Sequence, residues 1–255
     1  MIPEVFPAMV HAVFPVVSKD EHFVPLDVSA RYVIAANGIF LEQRTPFFAA
    51  AVRVDRVAGM RVEGLEPHAE WLELALPPLD SDYVAQAVSF FRTVYQRWGG
   101  EAILLLFRER PEGERPARWA LDAPPQLMSG QWHADGFHAA MRLAYGSCDK
   151  PGPAYVRAGS IHSHGAGAAY HSDTDVQDEV GGAGLHITVG RVDAALPEFA
   201  ASFVVGETRF TVPVEDVLAP LEAPRDPPPH WLPRVAPATG HVRPALPAGG
   251  VPRCA

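Results

Sequence analysis

Residues 156–175 read Val-Arg-Ala-Gly-Ser-Ile-His-Ser-His-Gly-Ala-Gly-Ala-Ala-Tyr-His-Ser-Asp-Thr-Asp. The first part, Val156 to His164, predicts a strand that runs into a Gly/Ala-rich loop. Side chains at i and i+2 of a strand share a face, so His162 and His164 can aim two imidazoles at one point. Ser172 then opens a short helix in an S-x-x-D capping pattern, which brings Asp175 back as a carboxylate. Two imidazoles and one carboxylate, with one position left for water, form a catalytic metal set rather than a closed structural one. Zinc in such a set lowers the pKa of bound water toward about 7.

Downstream, Leu185-His-Ile-Thr-Val predicts the next strand, and Gly206-Glu207 between Phe203–Val205 and Thr208–Val212 predicts a hairpin. Upstream, Val84, Ala87, Val88, Phe91, Val94, Tyr95 and Trp98 form one apolar stripe, which predicts a helix over 82–98. Ser81 is its expected N-cap and Gly99-Gly100 its stop. Glu101-Ala-Ile-Leu-Leu-Leu-Phe follows, a continuous apolar run that suits a strand buried on both faces. A carboxylate at the head of such a strand is costly without a partner or a task, so Glu101 is the candidate proton carrier. Glu109, Glu112 and Glu114 interleave with Arg108, Arg110, Arg115 and Arg118 and read as a solvated loop. Arg118 to Ala123 is the expected return strand, ended by Pro124-Pro125.

Three segments are expected: a β-rich accessory segment over 1–80, a core over 81–218, and a Pro-rich, extended or disordered tail over 219–255. The first contains Tyr32–Ala36, a type I′ turn at Asn37-Gly38, and Ile39–Leu41, with another strand over Phe47–Val54. It offers no chemistry, since His11, His22 and His68 are isolated. Eleven of the 26 prolines lie beyond Val212. The fold class expected is α/β or α+β, a mixed sheet flanked by helices.

The net charge of -9 and the lack of a Lys/Arg cluster argue against a nucleic-acid partner. The longest strongly apolar run, Ala102 to Phe107, is too short to span a bilayer, so no membrane partner is expected. Cys148 and Cys254 are the only cysteines and read as free thiols. No basic stretch precedes an apolar one near the N-terminus, so a cytoplasmic location is the expectation.

The spacing H-S-H, seven residues, S, two residues, D resembles the JAMM signature of the JAB/MPN/Mov34 metallopeptidases at His162, His164, Ser172 and Asp175. In that family a glutamate precedes an apolar strand, as Glu101 does here. The resemblance covers roughly 82–212 and implies a cytidine-deaminase-like core. It implies one zinc ion per chain on His162, His164 and Asp175, Glu101 as acid/base, and Ser172 as a donor to the oxyanion. Gly165 stands where the family often has proline, and no glycine follows Glu101 within its strand. The chain is also similar to bacterial JAB proteins encoded beside ubiquitin-like, E1-like and E2-like proteins, including the PRTRC protein A group. The implied activity is an isopeptidase or deubiquitinase-like cut after the C-terminus of a ubiquitin-like protein, with E1-like and E2-like proteins as further partners. Two alternatives stay open: a non-catalytic MPN-type scaffold, and an amidohydrolase acting on another peptide or small amide. His171, Asp173, Asp178 and Glu179 read as a polar helix face, and His186 as a packed histidine with a possible supporting role at the metal.

Overall fold

The computed structural model describes residues 15–17, 29–55, 59, 61–110 and 118–239. His11, His22, Glu112, Glu114, Arg115, Cys254 and the end of the Pro-rich segment lie outside them. The described residues form an α+β, sheet-rich protein whose chain divides into two compact units between Leu76 and Pro77.

The N-terminal unit is one five-stranded sheet in chain order: β1 (Pro15–Val17), β2 (Ala30–Ala35), β3 (Gly38–Arg44), β4 (Phe48–Arg53) and β5 (Trp71–Leu74). β1 runs parallel to β2, and the rest is an antiparallel meander. Ala35 pairs with Gly38, so the turn residues are Ala36-Asn37 rather than the expected Asn37-Gly38. Asn37 is used differently: its amide bonds both the N–H and the C=O of His68, at 2.8 Å each. His68 in turn sits 3.1 Å from Glu42, which is buried against Arg31 at 2.6 Å. Arg31, Glu42 and His68 thus pair with one another.

The second unit opens with α1 (Ser81–Trp98), whose inward stripe buries Val84, Ala85, Ala87, Val88, Phe90, Phe91 and Val94. The N-cap is Asp80, one residue before the expected Ser81, and Gly99 ends the helix in the left-handed conformation. β6 (Ile103–Glu109) and β7 (Trp119–Asp122) form the expected antiparallel pair. Arg108 departs from the reading as a solvated loop. It belongs to β6, is buried, and stacks over the Trp119 ring at 4.9 Å. β8 (Gln126–His133) and β9 (Gly136–Tyr145) then form an antiparallel hairpin.

β10 (Tyr155–Ser163) leads through a loop and α2 (Asp173–Glu179) to β11 (Gly182–Gly190), its parallel neighbour. β12 (Glu198–Gly206) and β13 (Thr208–Val212) complete the expected hairpin around Glu207. The resulting six-stranded sheet has the order β13-β12-β11-β10-β6-β7, with β10/β11 its parallel pair. Parallel neighbours need a crossover, and here the crossover is the segment that carries the loop and α2.

Residues 219–239 correct the expectation of an extended or disordered tail. After α3 (Val214–Val217), the Pro-rich stretch reaches a 3-10 turn at Leu232–Arg234 and then β14 (Val235–Thr239), which pairs in parallel with β8. Trp231 is the reason: it is 1% exposed and packs edge-on against Phe90 of α1 at 5.6 Å. Arg234 adds a 2.7 Å ion pair to Asp122. Pro237 is tolerated because β14 is the edge of the order β14-β8-β9.

Candidate metal centre

The site lies on one face of the six-stranded sheet, where β10 ends. A register shift between Arg157 and Gly159 sets which residues of β10 reach that face. Only glycine fits at 159, since its φ is +144° and a Cβ there would meet the Leu185 carbonyl oxygen at 1.7 Å. Beyond it, His162 pairs with Ile103 on one side and Thr188 on the other. The chain then turns through 165–171 and is held to the end of β11. Val192 N–H donates to Gly165 O at 2.9 Å and Arg191 N–H to Gly167 O at 2.7 Å. Gly190 allows this: a Cβ there would sit 2.2 Å from Ala169 N.

Ser172 caps α2 as the sequence predicts. Its N–H and its Oγ both donate to Asp175 Oδ2 at 2.7 Å, and Asp175 N–H donates back to Oγ at 3.3 Å. The cap therefore fixes the carboxylate as well as the helix end. The hydroxyl expected to serve an oxyanion is engaged with Asp175 in this geometry.

Three ligating side chains converge. His162 Nε2 and His164 Nε2 are 3.2 Å apart, Asp175 Oδ1 is 3.4 Å from the first, and Oδ2 is 3.4 Å from the second. The nitrogen–nitrogen distance is close to the roughly 3.3–3.4 Å edge of a tetrahedron with bonds of about 2.0–2.1 Å, and one ligand atom from each side chain lies within 4.8 Å of the others, near enough to share a cation. Among the described residues this triad is the cluster of His, Cys, Asp and Glu able to hold a metal ion. Both histidines are buried, and Asp175 is half-buried. His164 Nδ1 lies 3.3 Å from Ala168 O, an atom that can only accept. That contact puts the proton on Nδ1 and leaves the Nε2 lone pair for the ligand position.

The electrostatics agree with a site for positive charge. Burial opposes ionisation of Asp175, but His162, His164 and Ser172 outweigh it and hold the carboxyl far below its usual range. Burial also lowers His164, yet Asp175 and Glu101 reverse the sign and raise it. Glu101 goes the other way. Burial pushes its carboxyl above the ordinary range, although His164 and His162 pull it down. Its place follows from β6: Ala102 N–H donates to Ser163 Oγ at 3.1 Å, and Ser163 N–H to Ala102 O at 3.0 Å. Continuing the Ile103–His162 register puts Glu101 opposite His164. The Gln126 side chain bonds both backbone groups of Ile103, at 2.8 and 3.0 Å, and fixes the head of that strand.

The sequence reading missed several participants. Thr188 Oγ1 lies 3.4 Å from His162 Nε2 and 3.3 Å from His171 Nδ1. His171 is half-buried, and burial together with Arg209 pushes it down to about 4, so it is a neutral imidazole. Its Nε2 is buried with no hydrogen-bond partner. Glu179 is half-buried as a residue, with only 8% of its side chain exposed, and pairs with Arg209 and His186. The expected polar face of α2 thus holds only for the exposed Asp173 and Asp178. No residue of α2 is buried, and Val176 and Val180 are exposed, so no apolar stripe anchors it. The available signal was alternation: Ser160, His162 and His164, then His186 and Thr188, interrupt apolar strands at every second residue.

A family of unknown function, DUF2016, matches residues 7–61, within the stretch that forms the N-terminal unit. No curated protein and no solved structure matches the chain. Among the described residues, no helix is long and apolar enough to cross a membrane.

Proposed function

We propose that the chain is a zinc-dependent isopeptidase of the JAB/MPN/Mov34 type, with a cytidine-deaminase-like core. It would release a ubiquitin-like protein by cutting after its C-terminal tail. The observation that carries this reading is the convergence of ligand atoms of His162, His164 and Asp175 within 4.8 Å of one another, beside a half-buried Glu101. The donor set, two imidazole nitrogens and one carboxylate oxygen, fits zinc with a position to spare. When bound there, zinc supplies Lewis acidity that activates water and polarises a scissile carbonyl.

The remaining chemistry belongs to the chain. Glu101 takes a proton from the attacking water and delivers it to the departing nitrogen. Its elevated proton affinity suits that exchange, because a carboxyl near its ordinary value would hold the proton too weakly to return it. Ser172 would turn its hydroxyl from Asp175 toward the developing oxyanion. His164 keeps its ligand tautomer through Ala168 O. E1-like and E2-like proteins of the same conjugation system are the further partners this reading implies.

The test is cleavage of a ubiquitin-like protein fused to a tail, with and without a chelator. Cleavage is expected to stop on chelation and return with zinc. Glu101→Gln is expected to keep the metal and lower kcat by at least about a hundredfold. Full activity in that variant would remove Glu101 from its role. Chelator-resistant cleavage would remove the metal from the mechanism.

A further inference from the structure

α2 is seven residues long and buries none of them. A helix this short is not stable by itself in water, and it normally relies on an apolar face packed on a core. Here the exposed Val176 and Val180 contribute no such face. The inward positions are two carboxylates at i and i+4, Asp175 and Glu179, one helical turn apart. The first carries the metal position. The second meets a polar cluster built on four strands of the same sheet.

That cluster is closely built. Arg209 Nη2 of β13 donates to Glu179 Oε2 at 2.6 Å, and Arg209 Nη1 donates to Ser202 Oγ of β12. His186 Nδ1 of β11 lies 3.3 Å from Glu179 Oε1 and 2.9 Å from Ser160 Oγ of β10. His186 pairs with both Ser160 and Ser202 in the sheet register, so the row runs straight across the strands under the end of α2. The desolvation of Glu179 is opposed by His186 and Arg209, which hold its carboxyl below the ordinary range.

We propose that Glu179 is a positioning residue: with Arg209 and His186 it forms the second of two attachment points that hold α2, and so present Asp175 to the metal. One attachment at the capping box would let the helix pivot about Ser172 and swing the carboxylate. A second, a turn away, fixes the axis. The ligand is then ordered before the cation arrives, and binding does not have to order the helix. This inference rests on the reading of His162, His164 and Asp175 as a metal site.

The experiment uses the full chain and two readouts: zinc affinity by competition with a chromophoric chelator, and hydrogen exchange of residues 172–180 in the metal-free protein. Glu179→Ala is expected to weaken zinc binding by about 10- to 100-fold and to remove amide protection in α2, with added zinc restoring it. Glu179→Gln, which keeps a hydrogen bond to Arg209, is expected to recover part of both. Asp178→Asn, on the exposed side, is expected to change neither. Should Glu179→Ala not fold, because Arg209 is left unpaired, the double variant Glu179→Leu/Arg209→Leu removes both charges and is read in the same way. Unchanged affinity and unchanged protection in a folded Glu179 variant would overturn the clamp while leaving the metal site. Loss of α2 protection in a chain that takes up no zinc even as wild type would leave the clamp and overturn the metal reading.

Discussion

α1 and α2 belong to the same unit and are held by opposite means. α1 spans 18 residues and turns seven apolar side chains inward, Phe90 and Phe91 with no exposure at all. α2 spans seven residues, buries none, and turns two carboxylates inward instead. The first helix is anchored by the hydrophobic effect, which is non-directional and tolerant of small shifts. The second is anchored by ion pairs and hydrogen bonds, which fix angle and distance. A fold needs the first kind of attachment, and a ligand that must sit within a few tenths of an ångström of its place needs the second.

The contrast can be broken most forcefully from the α1 side. Phe91→Ala is expected to destabilise the second unit by about 3–5 kcal/mol, read from denaturant unfolding. The metal affinity of the folded fraction should remain near wild type, and a large loss of affinity would show that α1 shapes the site directly. From the α2 side the currencies reverse. Asp175→Ala is expected to weaken zinc binding by more than about a hundredfold, beyond what the loss of a supporting residue does. The unfolding transition of the metal-free protein should move far less than in Phe91→Ala, and an equally large shift would mean that α2 carries the fold.

Acid sharpens the same difference. The Glu179 carboxyl is held below its ordinary range in the folded chain, so the unfolded chain binds its proton more readily. The stability it contributes is present above the unfolded value of about 4.3 and is lost as pH falls through the lower folded value. The gap in unfolding free energy between wild type and Glu179→Gln should therefore be flat above about pH 5 and close below about 4.3. A gap that persisted to lower pH without change would rule out this linkage. The smallest effect belongs to Val176→Ser on the exposed side of α2, expected to stay within about 0.5 kcal/mol. A clear loss of substrate cleavage with unchanged stability would mark that surface as one the substrate touches.

Much of this architecture was readable before any coordinates. The stripe from Val84 to Trp98 gave α1 to within a residue, and the run after Glu101 gave β6. The Gly206-Glu207 turn gave the β12/β13 hairpin, because alternating apolar residues flank it. The β8/β9 hairpin was not readable: its tip carries Trp132 exposed beside His133, and its outer half has no clean alternation. β14 was hidden by Pro237 and its neighbours, which argue against a strand until an edge position is known to be available. Arg108 read as part of a charged loop because composition does not reveal that Trp119 lies under it.

The same division runs through the site. Local geometry is a property of the chain itself: alternation aims His162 and His164 together, and a capping box four residues long orients Asp175. Those relations hold over a few bonds, so residue spacing fixes them. That Glu101 faces His164, that Thr188 spans His162 and His171, and that Arg209 reaches back to Glu179 are relations between strands far apart in sequence. Only the strand order and a one-residue register shift at Gly159 decided them, because a slip of one residue in a sheet turns every side chain to the opposite face.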